Sequence, residues 1–246
     1  MRFRTPIRHI AALVGISILG ATTSSAVHAQ AAERTLMRPT RALVGINGFY
    51  ATPIGDFSER VNHGWGGTIH GTWLLHDSGV IGLRMDAGTM IYGRQRTREC
   101  LTMSCLVEAD ITTSNNLAFV GVGPELVVPA GPIRPYAAGQ VGWTFLWTQS
   151  EVEGSDNDNR PFASSRNFSD NTFSYGGVGG VLIPFNRGGG NPVSLDLGVR
   201  YLRNGRVEYL RKGDIIINPG NPPTFNVQRS RADMVAYHIG ITVGVR

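Results

Sequence analysis

The last twelve residues of the chain, Val235–Arg246, alternate without a break between large apolar side chains and small or polar ones. The odd-numbered positions hold only Val, Tyr and Ile, whereas the even-numbered ones hold Ala, His, Gly, Thr and Arg. Because successive side chains of a β-strand point to opposite faces, this pattern predicts a strand with one continuous apolar face. Such a strand requires an apolar medium on one side and strand partners at its edges. We therefore expect Val235–Arg246 to close a β-barrel against the first strand.

Seven further segments have the composition of strands, and all but one alternate between an apolar face and a small or polar face. The exception is the glycine-rich segment 172–185, whose faces the pattern does not assign. The predicted strands before the last one cover about 42–50, 64–75, 80–92, 115–128, 134–147, 172–185 and 193–201.

The connections between these strands alternate between long and short. The first, third, fifth and seventh are long and polar, and they cover 51–63, 93–114, 149–171 and 203–233. The second, fourth and sixth are short turns rich in Gly, Pro, Asp and Asn. Bacterial outer-membrane barrels separate their connections in this way, with short turns in the periplasm and long loops outside. The sequence therefore predicts an all-β, eight-stranded antiparallel up-and-down transmembrane β-barrel with four long extracellular loops and three short periplasmic turns.

The N-terminus has the features of a secretory signal peptide. Three arginines within the first eight residues precede an apolar run, 10–21, and a small-residue cleavage site ends at Ala29. The run is too short for a membrane-spanning helix, which needs about 20 residues. The predicted organisation is a signal peptide (1–29), a short leader (30–41) and an outer-membrane barrel domain (42–246).

Charge and motif content exclude several functional classes. The net charge of +5 falls to +2 when the three signal arginines are removed, which leaves 20 basic against 18 acidic residues. Neither this balance nor the distribution of basic residues indicates nucleic-acid binding. The sequence has no metal-spaced histidine pair and no phosphate-binding glycine loop, so we expect no cofactor.

The two cysteines, Cys100 and Cys105, lie in one polar segment with four residues between them. In an exported chain an even number of cysteines indicates a disulfide, here one that closes a small loop. A metal site is the alternative, but two thiols without nearby histidines are an incomplete ligand set.

Charged residues fall on the inward face of the predicted strands. An eight-stranded barrel is just wide enough for side chains to fill its interior. A polar pore or ligand site is therefore less favoured than a set of mutually paired charges, the arrangement in which buried ions are tolerated. The inward set comprises Arg84, Asp86, Glu125, Arg134, Asp196, Arg200 and His238.

Aromatic residues on the outward faces cluster toward strand ends. Such rings form girdles at the two membrane–water interfaces of outer-membrane barrels. The outward aromatics are Tyr50, Trp65, Trp73, Trp147 and Tyr201.

Several degenerate motifs, together with the final strand, resemble the small outer-membrane β-barrel families of the OmpA/OmpX transmembrane type and the porin-like β-barrel domain. They are Pro53–Phe57 before Gly64–Gly66, Arg134–Gly139 and Leu195–Tyr201. The resemblance implies a monomer in the bacterial outer membrane, in contact with membrane lipids and lipopolysaccharide, that the barrel-assembly machinery inserts. The family's last strand usually ends in an aromatic residue, whereas this chain ends in Arg246.

Three functions remain open at this point. The first is a barrel without catalysis that serves envelope integrity or surface contact, since rigid scaffolds position functional loops. The second is a lipid A-modifying enzyme. Asp56, Ser58, Glu59 and His63 lie close together in the first long loop, but such residues are common by chance in a polar loop, so the sequence predicts no catalytic triad. The third is a narrow channel for small solutes.

Overall fold

The computed structural model describes residues 40–100, 108–154, 161–186, 191–211, 213–216 and 224–245. This part of the chain contains β-strands and one short 3-10 helix, Gly55–Phe57. The strands are β1 (Ala42–Pro53), β2 (Gly64–Leu74), β3 (Ile81–Cys100), β4 (Glu108–Val127), β5 (Arg134–Gly154), β6 (Pro161–Asn186), β7 (Val193–Asn204), β8 (Arg206–Tyr209), β9 (Ile215–Ile216), β10 (Thr224–Phe225), β11 (Gln228–Arg231) and β12 (Met234–Val245).

Eight of these strands form a closed antiparallel barrel, in the order β1-β12-β7-β6-β5-β4-β3-β2. The last strand closes the barrel against the first, as predicted, and the two pair along their whole length from Ala42 opposite Val245 to Pro53 opposite Met234. Every other barrel strand pairs with its neighbours in sequence, which is the predicted up-and-down topology. Closure satisfies the backbone hydrogen bonds of both edges, so no edge strand remains along the barrel wall.

Two of the connections predicted as long loops are largely strand. The prediction placed loops at 93–114 and 149–171, but β3 continues to Cys100, β4 begins at Glu108, β5 continues to Gly154 and β6 begins at Pro161. These strands stay paired over the added length. They have polar residues on both faces, so the alternation that marks a half-buried strand is missing there.

The two ends of the barrel differ. The turn end carries the six-residue connections 75–80 and 128–133. The first residues of β1 and the last residues of β12 also lie there. The loop end carries the connection 54–63, the extended parts of β3 to β6, and the segment between β7 and β12. In that segment β8 pairs with β11 and β9 pairs with β10, as two small sheets separate from the eight-stranded barrel.

The outside of the barrel carries a belt of exposed apolar side chains. Ile46, Ile69 and Ile239 near the middle of their strands are about 60% exposed. Aromatic rings border this belt at the loop end, where Tyr50 lies opposite Trp65 on one side and Tyr237 on the other. Single exposed apolar residues are ordinary in soluble proteins, but a continuous exposed belt is not.

Candidate functional site

Asp86 is the centre of a buried ion-pair network inside the barrel. Its carboxylate accepts hydrogen bonds from Arg84 Nε at 2.9 Å and from Arg200 Nη2 at 2.5 Å. Arg84 Nη1 also donates to Glu125 Oε2 at 2.7 Å. Gln140 joins the network, since it donates to Asp86 and accepts from Arg200. Each carboxylate therefore faces at least one guanidinium, which is the condition for burying such charges.

Asp196 organises the opposite wall of the interior. Its carboxylate accepts hydrogen bonds from the Tyr136 hydroxyl at 2.7 Å and from Asn47 Nδ2 at 3.1 Å. Two histidines flank it, with Nε2 of His238 at 3.5 Å and Nε2 of His70 at 3.9 Å. The side chain of Asp196 is fully buried, so these donors replace the water that it would otherwise bind.

The structure gives the predicted interior residues different roles. Arg84, Asp86, Glu125 and Arg200 form one connected network, and Asp196 belongs to the neighbouring one. Arg134 is buried at the turn end of β5, where its Nε donates to the carbonyl of Val128 at 2.9 Å. The prediction did not include Gln140 in the Asp86 network, nor Asn47 and His70 beside Asp196. All three occupy inward positions of the alternation, so the same pattern could have identified them.

An apolar plug closes the loop end of the lumen. Phe57 of the 3-10 helix packs edge-on against Tyr209 of β8, with ring centroids 5.2 Å apart, and against Tyr92 of β3 at 5.7 Å. Tyr209 shares a hydrogen bond of 2.8 Å with Ser230, and burial raises the pKa of its hydroxyl. Two connections that follow β1 and β7 therefore fold back over the barrel mouth.

A second apolar cluster fills the turn end of the lumen. It consists of Leu43, Leu74, Val127, Tyr136, Ala138, Val178 and Leu182. Between the two clusters, the cavity beside Phe119, Arg200 and His238 has a volume of about 10 Å³. That is about the space of one water molecule. Apolar side chains thus occupy both ends of the described lumen, and the ion-pair networks lie between them.

Ser58 and His63 of the first connection make contacts other than those of a catalytic triad. The Ser58 hydroxyl donates to the carbonyl of Gly55 at 2.7 Å. The ring of His63 stacks on Tyr50, with centroids 5.8 Å apart. Both contacts have local structural roles, and neither joins the serine to the histidine. The predicted disulfide between Cys100 and Cys105 includes a cysteine outside the described residues.

At the loop end, four strands rise beyond the barrel rim as what we call the projecting sheet. It consists of 92–100 of β3, 108–115 of β4, 148–154 of β5 and 161–173 of β6, which lie past the ends of β2 and β7.

Polar contacts hold both faces of the projecting sheet. On the inner face, the Thr113 and Ser150 hydroxyls lie 2.8 Å apart, and Asn167 Nδ2 donates to Ser150 at 2.7 Å. On the outer face, Asp110 accepts from Arg96 Nη2 at 2.9 Å. A sheet that is polar on both faces is suited to water on both sides.

Among the described residues no group of three or more His, Cys, Asp or Glu side chains could hold a metal ion. No helix in the same ranges is long and apolar enough to cross a membrane.

No family model matches the sequence, and no curated protein sequence matches it. Solved structures with a similar fold include Neisserial surface protein A, which is 16% identical, with 84% of this chain and 98% of that chain covered and a TM-score of 0.46. Ail, the attachment invasion locus protein of Yersinia pestis, is 10% identical, with coverage of 84% and 99% and a TM-score of 0.46. The outer membrane protein OprG of Pseudomonas aeruginosa is 13% identical, with coverage of 85% and 98% and a TM-score of 0.41.

Proposed function

We propose that this protein is an integral barrel of the bacterial outer membrane that acts in surface contact or envelope integrity, without catalysis. The exposed apolar belt around a closed barrel is the observation that carries the proposal. Strands β1, β2, β7 and β12 contain 11 or 12 residues each. A transmembrane strand tilted by about 45° needs about 9–11 residues. The belt therefore has the height of a hydrocarbon core, and the barrel leaves no unpaired strand edge in contact with lipid.

The projecting sheet gives this barrel its surface-exposed part. It stands on the loop end, which faces outside when both chain ends lie in the periplasm. Interaction surfaces are commonly placed on connections that a rigid scaffold holds. The paired strands β3 to β6 supply that rigidity here, because their pairing continues into the projecting sheet, with register shifts at Ile91/Gly93, Thr148/Gln149 and Val152/Glu153. The partners that fit this setting are outer-membrane lipids and lipopolysaccharide, with the assembly machinery acting during insertion.

We expect heat-dependent migration of the protein on a detergent gel of outer-membrane extracts. A folded membrane barrel resists the detergent and migrates at a different apparent mass until it is boiled. The unboiled sample should show the shifted band in the outer-membrane fraction, and boiling should abolish the shift. Recovery of the protein from the soluble periplasmic fraction, with no change on boiling, would contradict the membrane assignment.

We also expect no ion conductance from the purified barrel in a planar lipid bilayer. The apolar plug that contains Phe57 and Tyr209 and the apolar cluster at the turn end leave no continuous water-filled path through the described lumen. The matched comparison is Phe57→Ala, which opens space at the loop end and leaves the turn end closed, so it should not conduct either. Discrete conductance steps from the unmodified protein would support the channel function instead.

A further inference from the structure

The inner face of the projecting sheet carries an uncharged row of polar side chains that crosses all four strands. Cross-strand pairing places the members of this row side by side, and they are Gln95, Thr113, Ser150 and Ser165. Ser165 is exposed, and the other three are half-buried. At about 4.8 Å between neighbouring strands, the row is about 14 Å long. It is therefore long enough to contact an extended ligand at several points.

A β-bulge in β6 adds two further side chains to this face. The pairing of β5 with β6 shifts its register after Thr148, which leaves Asn167 as the extra residue. The Asn167 amide donates to the Ser150 hydroxyl at 2.7 Å, so it lies on the inner face. Phe168 lies on the same face, because its pairing partner Thr148 is an inward, buried residue. The bulge thus places an amide and an aromatic ring next to each other, and bulges beside functional sites commonly redirect a side chain in this way.

The amide groups of this face are only partly used within the protein. A primary amide has two N–H donors and one carbonyl acceptor. Asn167 uses one donor on Ser150, and Gln95 uses one on the Thr97 hydroxyl at 3.3 Å. Neither amide carbonyl has a protein partner among the described residues. One hydrogen bond therefore orients each amide, and its remaining groups can donate to and accept from a ligand.

The two faces of the projecting sheet differ in charge. The outward rows contain both signs, with Arg94 and Arg166 in one row and Arg96 and Glu151 in the next. The inner row and the two bulge residues contain neither sign. Solubility does not require this difference, because charged side chains on the inner face would provide it equally well. A face of amides, hydroxyls and one aromatic ring favours a ligand that is uncharged and rich in hydroxyl groups.

Asp170 is the next inward residue of β6 toward the barrel, and its carboxylate is bonded within the protein. It pairs with Leu146, whose side chain is buried in the lumen, and it follows Phe168 by two residues. The carboxylate accepts the backbone N–H groups of Asn171 and Glu208, both at 2.8 Å. Asp170 therefore joins the projecting sheet to β8, and the polar row beyond it stays uncharged.

We propose that the inner face of the projecting sheet binds an uncharged oligosaccharide. The amides of Gln95 and Asn167 bond to sugar hydroxyls, which both donate and accept. The ring of Phe168 contacts the apolar C–H face of one sugar. The inference deepens the proposed function and rests on it, because the face must lie outside the cell to meet such a ligand.

The test is binding of the folded protein, in nanodiscs of synthetic phosphatidylcholine, to an array of neutral, sialylated and sulfated oligosaccharides. The nanodiscs contain no sugar that could compete. We expect binding to at least one neutral oligosaccharide. Asn167→Ala should weaken that binding about fivefold, the effect of losing about one hydrogen bond. Thr113→Lys should abolish it, because a long charged side chain then stands in the middle of the row.

Substitutions on the opposite face of the same strands are the matched controls. Ser114→Lys introduces the same charge one residue away from Thr113, on the outward face. Gln149→Ala removes an outward amide and is compared with Gln95→Ala, which should weaken binding about fivefold. Neither outward substitution should change binding. All variants must show the heat-dependent gel shift, which separates loss of the site from loss of the fold.

Three outcomes in a correctly folded barrel would overturn the oligosaccharide site. One is the absence of binding to every neutral oligosaccharide on the array. Another is binding confined to sialylated or sulfated oligosaccharides, which requires a basic site elsewhere on the surface. The third is equal binding by the unmodified protein, Thr113→Lys and Ser114→Lys. Absence of the gel shift from the unmodified protein is a different result, since it contradicts the proposed function itself.

Discussion

Asp86→Asn is expected to lower the free energy of unfolding of the barrel by about 3–5 kcal/mol, the usual cost of removing one member of a buried ion pair. Asparagine is almost the same size as aspartate, so the change creates no cavity. Arg200 loses its carboxylate, whereas Arg84 keeps Glu125. The measurement is the urea midpoint in lipid vesicles, with the unboiled gel band as the signal of folded protein and an unchanged slope as the two-state check.

Asp110→Asn is the matched control for this prediction. Asp110 also contacts two arginines, Arg96 and Arg98, but the arginine side chains are 61% and 68% exposed. The side chain of Asp110 is itself 14% exposed, and ion pairs with exposed arginines contribute at most about 1 kcal/mol, so we expect a shift of the urea midpoint well below that of Asp86→Asn. Equal shifts of the urea midpoint for Asp86→Asn and Asp110→Asn would show that burial does not determine how much each carboxylate contributes to stability. Adding Arg200→Met to Asp86→Asn should recover part of the lost stability, because the unpaired guanidinium is then gone.

The alternation of side chains assigns an inward or an outward direction along most of the barrel strands, although not along 172–185. Arg84, Asp86, Glu125, Asp196 and Arg200 all occupy small or polar positions opposite an apolar face, and all are buried in the structure. In a closed barrel the strand period leaves a side chain only two directions, inward or outward. Once the apolar face is assigned to the outside, the inward set follows.

The contacts between side chains inside the lumen could not be predicted from the sequence. Asp86 on β3 contacts Arg200 on β7, which lies 114 residues further along the chain. That contact depends on the stagger of every intervening strand pair, and the alternation alone does not fix the stagger. The apolar plug could not be predicted for a similar reason. Phe57 and Tyr209 come from connections between barrel strands, and no periodic pattern of side chains describes the path of such a connection.

The projecting sheet shows a different limit of sequence patterns. Its residues Arg94 to Arg98 and Thr112 to Ser114 have polar side chains on both faces, so no apolar alternation separates strand from loop. Backbone pairing with the neighbouring strand extends the sheet there. Strand formation in this part depends on the barrel, which supplies an aligned template below it. Sequence composition alone therefore predicts a polar loop where the structure has paired strands.

Because side chains occupy both ends of the lumen, we expect function to depend on the outer surfaces of this barrel. The two apolar clusters and the ion-pair networks between them use the inward side chains for stability. Function in the proposed outer-membrane setting then depends on the projecting sheet and on the outward face that continues below it. These surfaces differ from the lumen in that single substitutions there can change binding without removing a buried partner.

Ile69→Arg and Leu75→Arg together test whether lipid surrounds the barrel. Ile69 lies near the middle of β2, and Leu75 follows β2 at the turn end on the same outward face. The two side chains are 60% and 62% exposed, so in water the two substitutions would have nearly the same small effect. In a bilayer an outward arginine costs about 2–4 kcal/mol at the midplane and about 0–1 kcal/mol near the interface.

We therefore expect Ile69→Arg to lower the free energy of unfolding in lipid vesicles by about 2–4 kcal/mol and Leu75→Arg by at most about 1 kcal/mol. Urea titrations of both variants in the same vesicles measure the difference. Since exposure and outward direction are matched, the pair tests the effect of depth in the membrane. Equal and small effects would mean that the apolar belt faces water or a protein partner, and the membrane assignment would then fail even for a correctly closed barrel.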